Sequence, residues 1–146
     1  MNEINIIYNH KFQHSINKKN LKNYCKKVLN YNNYESYQVS LIFTDHDQLR
    51  EMKKEYFKQD LYTDVIAFNL NSIEEDLEGE IYLSIHMIES NANDYSVSLE
   101  NELKRVVAHG LLHLVGYEDQ RDQDKLKMIK MENTCMQLFN NLDIIY

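Results

Sequence analysis

The chain has 146 residues, a 43% apolar fraction and a formal net charge of −7. That size and apolar content suit one domain with a real core, and the acidic balance argues against nucleic-acid binding through the overall field. No run approaches 18 apolar residues and no basic segment precedes an apolar one near Met1, so the expectation is one cytoplasmic domain over residues 1–146 without a membrane segment.

In chain order, Ile4, Ile6 and Tyr8 alternate and predict a first strand. Leu21, Tyr24, Cys25, Val28 and Leu29 follow a helical stripe. Val39, Leu41 and Phe43 alternate again, and Leu49, Met52 and Tyr56 form a second helix behind a Thr44-x-x-Asp47 capping box. Val65–Phe68 and the alternating Ile81, Leu83 and Ile85 complete four strands, with hairpin pairing expected across the acidic loop 71–78. Ser98 caps a helix whose Leu99, Leu103, Val107, Leu111 and Leu114 make one apolar stripe. Val106 and Leu112 add apolar surface on other sides, which predicts a largely buried central helix. Met128, Met131, Cys135, Leu138 and Leu142 indicate a final helix. Strands interspersed with about five helices predict an α+β fold on a mixed four-stranded sheet. Cys25 and Cys135 lie on apolar stripes rather than in a C-x-x-C pair and are expected to be buried free thiols.

Charge is segregated along the chain. Lys18, Lys19, Lys22, Lys26 and Lys27 form one basic cluster and Arg50, Lys53, Lys54 and Lys58 another, whereas Glu74, Glu75, Asp76, Glu78 and Glu80 concentrate acid. Solvated helix faces explain such clusters as readily as a local basic groove.

The most informative stretch is His109-Gly110-Leu111-Leu112-His113-Leu114-Val115-Gly116-Tyr117-Glu118-Asp119. Two histidines four apart share one helix face, so both rings can reach a single ion. Gly116 suits a C-terminal reversal with φ > 0, and Asp119 follows it. Two imidazoles and a carboxylate leave a coordination position open, as in catalytic rather than structural zinc sites. A zinc peptidase places its general base after the first histidine, and here Gly110 stands there, which disfavours peptide hydrolysis by that route. Glu118 competes with Asp119 as the third donor, and Asp119 could instead open the next helix.

The run resembles the H-G-x-L-H-L-x-G-Y-D-H signature of the YbeY proteins. Thr63-Asp64-Val65-Ile66-Ala67-Phe68 is similar to that family's T-D-V-L-S-F strand, and Gly79-Glu80-Ile81-Tyr82-Leu83-Ser84 to its G-D-I-x-I-S strand. The resemblance implies a metal-dependent endoribonuclease acting in ribosomal RNA maturation, with the ribosome or ribosomal proteins as partners. It implies one Zn²⁺ per chain on His109, His113 and Asp119, and Thr63 and Asp64 lining the substrate. The chain departs from the pattern at three places. Asp119 stands for a third histidine, Glu80 for an aspartate, and Tyr56 is followed by Phe57 where the family commonly has an arginine. Loss of that arginine removes a bidentate phosphate clamp, for which Lys53, Lys54 or Lys58 could substitute only as point charges. No residue emerges as the catalytic base. Two other readings stay open: a zinc hydrolase of another substrate, and a ribosome-associated factor with a structural metal. The Asp45-His46-Asp47 run is explained by capping at a helix start, and His10, His14 and His86 lack partners in the sequence.

Overall fold

The computed structural model describes residues 2–11, 15–71 and 76–146. Within them the order is β1 (Asn2–Tyr8), α1 (Lys18–Tyr31), β2 (Tyr37–Thr44), α2 (His46–Phe57), β3 (Val65–Asn69), β4 (Leu77–Ser84), α3 (Ile85–Tyr95), α4 (Leu99–Leu114) and α5 (Asp122–Leu138). The four strands form one mixed sheet in the order β1-β2-β4-β3. β1, β2 and β4 run parallel and β3 pairs antiparallel with β4, as the hairpin reading expected. Of the acidic loop, Glu74 and Glu75 lie outside the described residues, as does His14.

Period-two alternation puts Ile4, Val39, Leu41, Phe43, Ile81 and Leu83 on one sheet face, where all six are buried. They join Leu21, Tyr24 and Leu29 of α1 and Leu103, Val107 and Leu111 of α4 in the main core. Ile42, Ile66 and Leu49 are buried apart from that core, on the side where α2 packs against β3 and β4. The result is an α+β sandwich in which α4 lies between the sheet on one side and α3 and α5 on the others. Burying each large apolar side chain contributes about 1.5–3 kcal/mol, and α4 buries four leucines and two valines, so the helix is held firmly. Gly110 permits its close approach, because a Cβ there would sit 2.9 Å from Ile81 Cγ2 and 3.3 Å from Val65 Cγ2.

Three local readings are corrected. Ile85 does not extend β4: Ser84 caps a helix by accepting from the Met87 N–H at 3.1 Å, and Ile85, Ile88 and Ala92 form its buried stripe. The cap of α2 is Asp45, whose carboxylate accepts from Gln48 N at 2.7 Å, while Thr44 bonds the Gln48 side chain. Leu142 lies beyond α5, which ends at Leu138. Both cysteines are free and buried as expected.

Candidate metal centre

α4 starts where the sequence placed it, with Ser98 Oγ accepting from Asn101 N at 3.0 Å. It ends in a Schellman reversal: Gly116 N donates to His113 O at 3.1 Å and Tyr117 N to Leu112 O at 2.9 Å, with Gly116 at φ +104°. The turn brings Asp119 back over the last two turns of the helix. Asp119 Oδ2 lies 3.3 Å from Nε2 of both His109 and His113, and the two Nε2 atoms are 3.1 Å apart. An ion held tetrahedrally by bonds of about 2.0 Å spaces its ligands about 3.3 Å apart, so one ion fits this triangle. All three side chains are part-exposed, which leaves one side of the triangle open.

The outer nitrogens fix what the inner ones can do. His109 Nδ1 is 2.6 Å from Glu132 Oε2, and His113 Nδ1 is 3.0 Å from Tyr117 O. A carboxylate and a carbonyl can only accept, so both Nδ1 atoms carry hydrogen, and in the neutral rings both Nε2 atoms present lone pairs. Two lone pairs and a carboxylate oxygen then face one another. They repel unless a cation, either a metal ion or a proton on one ring, sits among them. Burial disfavours charge on His109, but Glu132, Asp119 and Asp64 outweigh it and raise its pKa above the ordinary histidine value.

A belt of charge surrounds His109. Arg105, one turn earlier on α4, donates to Glu102 through Nε at 2.8 Å and through a terminal nitrogen at 2.5 Å. It also lies 3.7 Å from Glu132 and 3.7 Å from Asp64. Asp64 accepts from Asn91 Nδ2 at 3.0 Å, and its pKa is raised by burial against the opposing pull of Arg105 and His109. Three carboxylates, those of Glu102, Glu132 and Asp64, thus share one guanidinium, and Asp119 adds a fourth against the two histidines, a balance that suits a divalent cation.

The structure therefore brings together His109, His113 and Asp119 and sets Asp64 beside them. Glu118 is exposed, and Asp119 precedes α5 rather than opening it. Thr63 turns back to donate to Val65 O at 3.3 Å. The three lysines have local surroundings: Lys53 lies 4.7 Å over the Phe57 ring, Lys54 is on the exposed side of α2, and Lys58 closes that helix at φ 57°. Phe57 stacks on Phe68 at 6.0 Å between centroids. Sequence reading missed Glu132 and Arg105. The signal for Glu132 was present, since a carboxylate one turn from both Met128 and Cys135 interrupts an otherwise apolar stripe and is 3% exposed. Arg105 is four residues before His109, on the same helix face.

A three-donor cluster with an open side, oriented by a buried carboxylate and a backbone carbonyl on an α+β scaffold, is the arrangement of metal-dependent hydrolases. Comparison with known proteins narrows the class. The family model described as Endoribonuclease YbeY matches residues 6–140. Relatives named Endoribonuclease YbeY include that of Flavobacterium psychrophilum, 38% identical over 118 residues, which covers 81% of this chain and 84% of that protein. Another, from Fusobacterium nucleatum, is 35% identical over 128 residues and covers 82% and 79%. The solution structure of TM1509 from Thermotoga maritima matches with a TM-score of 0.62 and 29% identity over 93% of this chain and 88% of that one. The chain belongs to the YbeY endoribonuclease family.

Proposed function

We propose that this chain is a zinc-dependent endoribonuclease that cuts single-stranded RNA during ribosomal RNA maturation, with His109, His113 and Asp119 holding one Zn²⁺. The observation that carries the reading is the triangle of three acceptor atoms at 3.1–3.3 Å, with both imidazoles turned inward by hydrogen bonds on their outer nitrogens. Zinc bound there supplies a Lewis acid for a phosphate oxygen and lowers the pKa of a water toward ~7. Glu132 and Tyr117 O hold the two rings in the tautomer that points Nε2 inward. Arg105, 3.7 Å from both Glu132 and Asp64, offsets their negative charge beside the site.

Lys53, Lys54 and Lys58 on the exposed end of α2 would attract the RNA backbone as point charges, in the absence of an arginine at Phe57. Thr63 and Asp64 would line the path of the strand. The single domain over residues 1–146 works in the cytoplasm on the ribosome or its proteins; no described helix is long and apolar enough to cross a membrane. Elemental analysis tests the reading: one zinc per chain in the wild type and none in His109→Ala/His113→Ala. One tightly held equivalent in the double variant would overturn it.

A further inference from the structure

One flank of α2 interleaves cations with exposed rings. Arg50, Lys53, Lys54 and Phe57 are spaced by threes and fours, so they share one helix face. Lys53 Nζ lies 4.7 Å from the centroid of the Phe57 ring, and the Arg50 guanidinium 4.6 Å from that of Tyr62. Phe57 stacks on Phe68 with 29° between the planes, and Tyr56 meets the same ring edge-on with centroids 5.3 Å apart. Phe68 thus holds two neighbouring rings in place. Packing accounts for only part of their surface, since Tyr56, Phe57 and Tyr62 remain 59%, 43% and 43% exposed. Aromatic surface gathered in that way marks a place of contact rather than a piece of core.

The flank borders the metal centre. Arg50 donates to Asp60 at 2.8 Å, which ties α2 to the connection 58–64, and that connection ends in Asp64, 3.7 Å from the Arg105 guanidinium one turn before His109. β3, which carries Phe68, is an edge strand, so the rings sit at the border of the sheet rather than over its middle. Arg50 is taken up by Asp60, whereas among the described residues Lys53 and Lys54 form no ion pair. Exposed rings ask for a flat apolar ligand, and free ammonium groups beside them ask for an anion. Unpaired bases on a phosphate backbone offer both at once. A duplex hides its base faces, and an apolar peptide would desolvate the lysines without pairing them.

We propose that Tyr56, Phe57 and Tyr62 form a stacking platform for the unpaired bases of single-stranded RNA, with Lys53 and Lys54 on its phosphates. The inference deepens the RNA-cleaving reading and rests on it. At Phe57, where the chain departs from the arginine common in its family, the platform exchanges a phosphate clamp for a base contact. Such a surface selects single strands over duplexes with little preference for sequence, because every base has a π-face.

Titration of the full-length protein into a short single-stranded RNA carrying a fluorescent purine analogue tests the platform, in chelator so that cleavage is silent. Stacking should quench the analogue on binding. Tyr56→Leu/Phe57→Leu/Tyr62→Leu keeps apolar bulk but removes the rings; it should weaken binding about tenfold or more and abolish the quenching, with circular dichroism and salt dependence unchanged. Tyr56→Phe/Phe57→Tyr/Tyr62→Phe should restore both. If the triple leucine variant does not fold, Tyr56→Leu alone, at the most exposed of the three rings, should still cost about threefold or more. The matching duplex should bind without responding to any of these changes. Single-strand affinity that survives the leucine variants in full, or an equal loss for the duplex, overturns the platform and leaves the zinc reading, tested by metal content, untouched. Failure of the wild type to bind any single strand overturns the RNA reading itself, and the platform with it.

Discussion

Replacing Glu132 with glutamine should weaken zinc binding without unfolding the chain. The carboxylate is 3% exposed and accepts from His109 Nδ1 at 2.6 Å, so it fixes both the orientation and the tautomer of that imidazole. Glutamine keeps the shape and can still accept through Oε1, but the bond is no longer charge-assisted and the ring loses donor strength. Removing such an orienting partner typically costs 10–100-fold in metal affinity, or about 1.4–2.7 kcal/mol. Arg105 retains two bonds to Glu102 when Glu132 is neutralised, so no buried guanidinium is stranded and the fold should stand. Competition against a chromogenic chelator measures the zinc Kd, with circular dichroism as the control for folding. The cost should vanish when Glu132→Gln is added to His109→Ala, because the carboxylate acts through that ring. Wild-type affinity in Glu132→Gln, or an equal loss in the His109→Ala background, would refute the reasoning.

Asp119→His should keep zinc, since imidazole and carboxylate are both competent donors, whereas Asp119→Ala should weaken binding at least tenfold and Glu118→Ala should leave it unchanged in the same competition assay. Charge reversal at Lys53, Lys54 and Lys58 should weaken RNA binding and flatten its dependence on salt without releasing the metal, as filter binding over a salt series would read. Gly110→Ala would place a methyl group 2.9 Å from Ile81 Cγ2 and should cost about 1–3 kcal/mol, lowering Tm by roughly 3–10 °C in calorimetry. Burial pushes the Cys135 thiol up to about 11 and raises Cys25 still further, so neither should react with a disulfide reagent at pH 8 until denaturant is added.

The parts of the fold legible in the sequence were those with a local cause. Alternation gave β1, β2 and β4 because one face of the sheet is buried, a short apolar run gave β3, and spacing by threes and fours gave α1, α4 and α5 through their buried stripes. The first helix after β4 was missed because its buried Ile85 continued the alternation of Ile81 and Leu83, and nothing in that pattern marks Ser84 as a cap. The closeness of His109, His113 and Asp119 was legible because two of them are fixed by one helix and the third by the Gly116 reversal three residues away. The stripe of α5 marks Glu132 as a buried carboxylate but not its partner, since its contact with His109 spans 23 residues and depends on how α5 lies against α4. Strand order is a tertiary fact that periodicity does not carry.

RNA cleavage with the metal removed and restored tests the central claim most directly. Purified protein should cut a single-stranded RNA and lose that activity on dialysis against a zinc chelator, with its circular dichroism spectrum unchanged. One equivalent of Zn²⁺ should restore cleavage to the wild-type chain but not to His109→Ala/His113→Ala. Undiminished cleavage by protein verified free of metal would contradict the account, and so would restoration of the double variant by the same equivalent.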